Sequence, residues 1–323
     1  MSSPLQRSVV EGAVPGRPLL APWYRLIEDG ERLLLEYGQA VVVLEGAAVR
    51  TLLPALLPLL DGTRTLDDLV ARLGTAVGPA IEAALATLQR HGLLVDGPEA
   101  PSRNRDTADA LAAAYSLAPA VVAARLDAAV IGVVGGSSTG VEVARLLRAA
   151  GVGETRRVSW EEPAIGDLTV VAPAAGEIRR LDPWNRTALA EGCAWFPVRP
   201  YDGRLAAVGP LIVPGESCCY ECLGLRRAAN LEYGPDLPLI ETAPIVATAD
   251  PAFESLVVAL TAHLVLRFVA ARDTTLPGTL YAVEQQPAPT IAEHAVLRVP
   301  RCSVCSPAER RAAPLPWHAA EAA

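Results

Sequence analysis

The sequence predicts an α/β protein with a small N-terminal domain, in which strands precede helices, and a larger domain built around a parallel sheet. Three observations support this prediction. Residues 23–97 change from a strand pattern to a helix pattern, an apolar strand later runs into a glycine-rich turn and a helix, and two Cys-x-x-Cys pairs follow. With 323 residues, of which 51% are apolar, the chain can build about two cores.

The charged residues exclude several functional classes for this protein. The chain has 36 acidic and 28 basic residues, so its net charge is −8, which argues against a nucleic-acid partner. Every basic residue is arginine, and the absence of lysine excludes a Walker-type nucleotide site and lysine-dependent catalysis. The acidic balance fits a role in binding protein or peptide.

Two segments bear on the location of the protein. Residues 1–22 form a predicted N-terminal extension that lies loosely on the surface and lacks the apolar core of an export signal. The most hydrophobic stretch, residues 256–271, is shorter than the roughly 20 residues that span a bilayer, and His263 and Arg267 interrupt it. We expect a buried helix, no membrane partner and a cytoplasmic location, in which the cysteines stay reduced.

The order of elements within residues 23–97 is typical of a winged-helix-like domain, because three strands precede three helices and a last strand. We predict the strands at residues 24–28, 32–37, 39–44 and 93–95 and the helices at residues 47–60, 65–73 and 79–91. Thr65, with Asp68 three residues later, is predicted to cap the second helix. Further along we predict a linker and a helix within 98–127, with the helix at residues 110–126, the larger domain at 128–307 and a tail at 308–323.

The helical part of this domain carries a motif. The segment LLPLLDGTRTLDDLVARLG, followed by AIEAALATLQRHGLL, resembles the recognition element of enzymes that modify ribosomally made peptides, and it is similar to the small chaperone of pyrroloquinoline quinone biosynthesis. The resemblance implies that a leader peptide adds to the sheet as an extra strand. On this sequence the receiving strand would be Gln39, Ala40, Val41, Val42 and Val43, and the groove wall would include Ala80, Ala84 and Leu88. The third helix has few basic residues, which disfavours DNA binding, while a purely structural role stays open.

A glycine-rich turn opens the larger domain. The apolar strand AVIGVV at residues 129–134 runs into the turn GGSSTG and a helix at residues 141–150, which is the context of a Rossmann-like dinucleotide fingerprint. The turn positions of that fingerprint are Gly135, Gly136, Ser137 and Gly140. Ser137 replaces the glycine that lets the backbone approach a phosphate. We predict a degenerate turn without a cofactor, although Glu161 and Glu162, placed where a ribose-binding acid is expected, leave nucleotide binding open.

The same domain resembles the ThiF/MoeB fold of ubiquitin-activating-type enzymes, which adenylate a C-terminal carboxylate. The resemblance implies an Asp-rich turn, an Asn-Leu pair, an Arg-Gln pair and a lysine near the phosphates, but the corresponding stretch here reads SWEEPAIGD. Without those groups, the charge that develops on a phosphoryl group is not stabilised. We therefore expect no catalytic residues and no ATP on this chain, with an ATP-dependent adenylating enzyme as the alternative.

The cysteines carry the strongest signal in the sequence. Two Cys-x-x-Cys pairs are formed by Cys219, Cys222, Cys302 and Cys305. Together they complete a tetrahedral site with no open coordination position, so we predict a structural Zn²⁺, with a redox dithiol as the alternative. Cys218 is adjacent and could compete as a ligand. Cys193 is predicted to be a small buried apolar residue, and a catalytic thiol is the alternative.

The second half of the chain closely resembles the leader-peptide-binding partner of azoline-forming cyclodehydratases. The residues that carry this resemblance are PYDGRLAAVGPLIVPGESCCYECLGLRR and PRCSVCSP. Those ThiF-like proteins work with a YcaO enzyme in thiazole/oxazole-modified peptide and thiopeptide pathways. The resemblance implies that this chain binds a precursor leader and presents the core peptide, while a YcaO partner binds ATP and forms the azoline rings. A homodimer is a further expectation by analogy with activating-type folds, and a purely structural dimer scaffold is a third alternative.

Overall fold

The computed structural model describes residues 12–162, 166–243, 245–285 and 287–306, and these fall into two compact units that divide between Leu126 and Asp127. The second unit contains a seven-stranded sheet flanked by helices, so the prediction of an α/β protein is confirmed at this level. The predicted tail at 308–323 and the first eleven residues of the predicted extension lie outside the described residues.

In the described part of the N-terminal unit, short strands accompany a group of helices. The strands are β1 (Pro18–Leu20), β2 (Arg25–Asp29), β3 (Arg32–Tyr37), β4 (Ala40–Glu45) and β5 (Leu94–Asp96). The helices are α1 (Ala47–Thr51), α2 (Leu53–Leu56), α3 (Leu66–Leu73), α4 (Gly78–Arg90), α5 (Arg105–Tyr115) and α6 (Pro119–Ala128). β2, β3 and β4 form an antiparallel sheet in that order, and β1 pairs with β5.

β1 corrects the expectation of an extension that lies loosely on the surface as far as residue 22. This strand pairs antiparallel with β5, with Leu19 opposite Val95. The side chain of Leu19 is only 2% exposed. Because its backbone is paired and its side chain is buried, this part of the extension belongs to the folded unit.

Two helices predicted as continuous are divided in the structure. The helix expected at 47–60 is α1, α2 and a short 3-10 turn, because Pro54 and Pro58 cannot donate the backbone hydrogen bonds of a helix interior. The helix expected at 110–126 is α5 and α6, and α5 begins earlier, at Arg105. Ser116 ends α5 in the left-handed region with φ 54°, and Pro119 begins α6.

The core of the N-terminal unit is rich in leucine. Every second residue of β3 points inward, so Leu33 and Leu35 are buried. Ile81 and Leu85 recur along α4 at a spacing of four and meet the same core. The predicted cap of α3 is confirmed, because the Thr65 side chain accepts from the Asp68 backbone N–H and the Asp68 carboxylate accepts from the Thr65 backbone N–H.

The second unit alternates strands and helices before it ends in an antiparallel section. Its strands are β6 (Val130–Val134), β7 (Glu154–Val158), β8 (Leu168–Val171), β9 (Trp195–Arg199), β10 (Leu205–Val208), β11 (Thr279–Glu284) and β12 (Thr290–Ala295). Its helices are α7 (Ser138–Ala149), α8 (Leu181–Glu191), α9 (Tyr220–Asn230), α10 (Leu237–Thr242) and α11 (Pro251–Leu266).

The sheet of the second unit has the order β12-β11-β10-β9-β8-β6-β7. β7, β6, β8 and β9 run parallel, whereas β10, β11 and β12 continue the sheet antiparallel. The strand of the glycine-rich turn, β6, lies inside the parallel section between β7 and β8. The turn therefore opens at the carboxyl end of a buried parallel strand, where ligands of such sheets usually bind.

The hydrophobic segment of the sequence is a helix packed inside this unit. α11 continues as a π-helical turn over Arg267–Ala271, and this is the one described helix that is long and apolar enough to cross a membrane. It packs against α7 and buries Val257, Leu264 and Val265. These contacts fit the core helix expected from the sequence.

Candidate functional site

The two Cys-x-x-Cys pairs come together in the second unit. Cys219 is the residue before α9 and Cys222 lies in its first turn, so a single helix start presents both sulfur atoms. Cys302 and Cys305 lie in the turns that follow β12. Cys219, Cys222 and Cys302 are buried, whereas Cys305 is half-buried.

The distances between the sulfur atoms fit a single metal ion. Cys219 Sγ lies 3.7 Å from Cys222 Sγ and 3.7 Å from Cys302 Sγ, and Cys222 Sγ lies 3.5 Å from Cys305 Sγ. All four atoms are within 4.8 Å of one another. Four thiolates about 2.3 Å from a shared zinc ion would be about 3.8 Å apart in a tetrahedron. The four cysteines could therefore hold a metal ion with a closed coordination shell.

Residues outside the Cys-x-x-Cys pairs hold the two segments in place. The buried Asn185 of α8 accepts a hydrogen bond from the Tyr220 backbone N–H at 3.1 Å and so satisfies the first turn of α9. Arg298 donates to the carbonyl oxygens of Gly215 and Cys305. Sequence reasoning missed Asn185, because it lies 35 positions before Tyr220 and no local motif links the two.

Within the four-cysteine cluster the pKa values shift in opposite directions, since that of Cys222 is lowered and those of Cys219 and Cys302 are raised. The pKa of Cys222 is lowered, chiefly because the Cys219 thiol donates to its sulfur and also because the Val299 backbone N–H does so at 3.3 Å. Burial raises the pKa of Cys218 to about 12, which leaves it a neutral thiol beside the cluster. Burial also raises the pKa of Cys193, and a neutral thiol is a poor nucleophile.

The predicted receiving strand lies at an edge of the N-terminal sheet. Gln39 falls in the turn before β4, and Ala40, Val41, Val42 and Val43 form most of that strand. Among the described residues no further strand pairs with β4 on its outer side. The Val41 and Val43 side chains are 52% and 45% exposed on the outer face, while Val42 points inward and packs on the core.

The two edges of this sheet differ in charge. β2, at the opposite edge, reads RLIED and carries Arg25, Glu28 and Asp29. β4 reads AVVVLE and has no charge before Glu45. Charged side chains on an edge strand discourage the pairing of another strand. β4 is therefore the edge that can accept an added strand, whereas β2 is protected against it.

The predicted groove wall on α4 needs one correction. Ala80 is exposed and Ala84 is half-buried, and their spacing of four places both on one face of the helix. Leu88 is only 1% exposed and packs in the core with Leu85. Because its side chain points into the protein, Leu88 offers no surface to a peptide.

The glycine-rich turn adopts the predicted connection between β6 and α7. Gly135 has φ 107°, and a Cβ there would lie 2.1 Å from the Ala172 carbonyl oxygen, so only glycine fits. The Ser137 hydroxyl donates to the same carbonyl at 2.9 Å and accepts from the Gly140 N–H, which caps α7. The substitution at Ser137 thus stabilises the helix start.

The two acids expected near a ribose make contacts within the protein. Glu161 forms an ion pair with Arg180, and Glu162 accepts from the Ser159 backbone N–H at 2.6 Å. The Arg180 guanidinium also lies over the Trp160 ring, 5.0 Å from its centroid. A ribose at this position would have to displace these contacts.

No family model matches the sequence, and no curated protein matches it significantly. Solved structures do share the fold. The heterocyclase TruD aligns with a TM-score of 0.70 at 22% identity, over 90% of this chain and 43% of that chain. A heterocyclase in complex with substrate and cofactor aligns with a TM-score of 0.69 at 20% identity, over 90% of this chain and 39% of that chain.

A third similar structure is MccB from E. coli, with a TM-score of 0.61 at 15% identity over 92% of this chain and 99% of that chain. At these identities the similarity shows the fold alone. The chain spans less than half the length of the two heterocyclases and nearly the whole length of MccB.

Proposed function

We propose that this protein binds the leader of a ribosomally made precursor peptide and presents the core peptide to a YcaO cyclodehydratase, which forms the azoline rings. In this proposal residues 23–97 act as a winged-helix-like recognition domain. The second unit is a ThiF/MoeB-type scaffold that catalyses no step by itself. The observation that carries the proposal is the outer edge of β4, which pairs with no strand among the described residues and has no charge before Glu45.

Strand addition explains how β4 would bind the leader. An extended peptide beside residues 40–44 would pair its backbone with the edge that no described strand occupies, and five residues offer about 17 Å of strand. Side chains of the added strand would alternate between the two faces of the sheet. On the outer face they would contact Val41 and Val43, and Ala80 and Ala84 would supply the helix side of the groove.

The similar structures support a role in peptide heterocyclisation. Two of them are heterocyclases, one with substrate and cofactor bound. The alignment leaves more than half of each heterocyclase without a counterpart in these 323 residues. This fits a system in which the ring-forming chemistry is supplied from outside the aligned region, and we assign it to a YcaO partner.

The metal in this proposal is a structural Zn²⁺ held by Cys219, Cys222, Cys302 and Cys305. Four thiolates fill a tetrahedral shell, so no position remains for a water or a substrate. The ion would join the start of α9 to the segment after β12. The ion would thereby stabilise the second unit, whereas the proposed peptide-binding edge of β4 belongs to the first unit.

Leader binding can be measured by fluorescence anisotropy, with labelled synthetic leaders of the short peptides encoded near the gene of this protein as probes. Val43→Glu on β4 should weaken binding at least about tenfold. The new carboxylate would have to lose water where the side chains of the added strand pack beside it. The matched control is Ile27→Glu on β2. Ile27 lies in the same cross-strand row, since Leu34 is opposite both Ile27 and Val43.

The control should bind within about twofold of the wild type, because β2 is the charged edge of the sheet. Circular dichroism should show both variants folded. Equal loss of affinity in the two variants would remove β4 as the binding edge. Absence of saturable leader binding by the wild-type protein would contradict the proposed function as a whole.

A further inference from the structure

The glycine-rich turn contains an anion supplied by the protein itself. Glu177 follows β8 and directly precedes the 3-10 turn Ile178–Arg180. Its Oε2 accepts from the Gly136 backbone N–H at 2.8 Å and from the Ala174 backbone N–H at 2.9 Å. Its Oε1 accepts from the Trp160 indole Nε1–H at 3.1 Å. Three N–H donors from three different segments thus converge on one carboxylate.

This carboxylate lies where a glycine turn of this kind presents its amides to a phosphate. Gly136 directly precedes Ser137, the cap residue of α7, so its N–H is part of the glycine turn that leads into that helix. A Cβ at Gly136 would lie 3.2 Å from Glu177 Oε2, which shows how closely the carboxylate sits on the turn. The space that a phosphate would need is therefore occupied.

Charge adds to the steric effect. Burial opposes the ionisation of Glu177, but the hydrogen bonds from Ala174, Gly136 and Trp160 outweigh it, and the pKa of the carboxyl is lowered. The group is therefore an anion at neutral pH. A phosphate entering the turn would meet a like charge and would have to break charge-assisted hydrogen bonds. The guanidinium of Arg180, which helps to lower the pKa of Glu177, already pairs with Glu161.

We propose that Glu177 is a built-in anion that keeps the phosphate position of the glycine turn closed, and that removing its carboxylate uncovers a site for a phosphate-type anion. The proposal is independent of leader binding. It gives a reason to expect no nucleotide at this turn that is separate from the presence of serine at position 137. It also gives Glu177 a positioning role, because the carboxylate connects the segments that carry Gly136, Trp160 and Ala174.

The test uses the full chain and inorganic pyrophosphate as the probe. In isothermal titration, Glu177→Ala should bind pyrophosphate at least about tenfold more tightly than the wild-type protein does. The matched control is Glu162→Ala, since Glu162 is exposed and accepts a single backbone N–H outside the turn. This control should behave as the wild type. Glu177→Gln, which keeps the volume of the side chain but removes its charge, should gain less affinity for pyrophosphate than Glu177→Ala does.

Two results would overturn the proposal. One is pyrophosphate binding by the wild-type protein as tight as that by Glu177→Ala, because Glu177 would then move aside freely. The other is a folded Glu177→Ala variant that gains no affinity. If Glu177→Ala is unstable, added pyrophosphate should raise its melting temperature and its yield of folded protein, and failure of that rescue would equally count against the proposal.

Discussion

At the residue scale, the metal-binding role of the four cysteines can be predicted from the sequence, whereas the contacts of Glu177 cannot. Each Cys-x-x-Cys pair can be recognised from the sequence, because two cysteines at that spacing can bind one ion in any fold. Glu177 meets Gly136 across 41 positions and depends on the path of the chain after β8. Nothing in the residues around it distinguishes it from an ordinary surface glutamate, and the same is true of Asn185.

The metal assignment predicts the behaviour of a single ligand variant. Cys302→Ser should reduce bound zinc from about one ion per chain to almost none and lower the melting temperature by at least ~10 °C, or yield insoluble protein. The reason is that structural zinc contributes on the order of 10 kcal/mol to folding, and 1 kcal/mol shifts a domain of this size by roughly 2–4 °C. Elemental analysis and thermal denaturation measure the two effects.

Cys218→Ala is the matched control for this variant. Cys218 neighbours the cluster and is buried, but its sulfur is outside the four-atom group. The control should retain about one zinc per chain. Full zinc content in Cys302→Ser, or its loss in Cys218→Ala, would show that the ligand set is wrong.

At the element scale, local chemistry predicts where helices begin better than how long they continue. Thr65 and Asp68 mark the start of α3 correctly, because a capping box involves only neighbouring residues. The pattern of apolar residues between 47 and 60 is helical, yet the prolines divide it into α1, α2 and a 3-10 turn. The sequence pattern does not predict β1, for a different reason. Three residues have no readable period, and their pairing with β5 spans most of the unit.

The cap of α3 provides a prediction at this scale. Thr65→Ala removes the side-chain acceptor of the Asp68 N–H and should cost about 1 kcal/mol. Amide hydrogen exchange in Leu66–Leu73 should accelerate about fivefold for that loss. The control is Thr87→Ala in the interior of α4, where alanine is the better helix former. Unchanged exchange in the Thr65 variant would mean that tertiary packing alone holds the start of α3.

At the scale of the whole molecule, the sequence predicts two folded parts and their α/β class from composition, a glycine turn and an order of elements. It also predicts the bounds of β4 to within one residue at each end. The family resemblance misassigns Leu88 to the groove wall, because it carries over a stretch of the helix without distinguishing the residues that face the core. The antiparallel continuation β10-β11-β12 depends on long-range pairing that no local pattern records.

The proposed peptide-binding strand and the candidate metal site lie in different units. β4, with its exposed Val41 and Val43, belongs to the first unit, whereas the cysteine cluster and Glu177 belong to the second. Peptide recognition and metal-dependent stability are thus expected to respond to different substitutions. The central claim is that a leader peptide pairs with the free edge of β4.

Amide hydrogen exchange of the full-length protein, with and without its leader peptide, tests this claim most directly. We expect the leader to slow exchange in residues 40–44, because an added strand supplies acceptors for the backbone N–H groups on the edge that no described strand pairs with. Exchange in β2, at the charged edge, should stay unchanged. Saturable leader binding with no protection in β4, or with protection in β2 instead, would contradict the account.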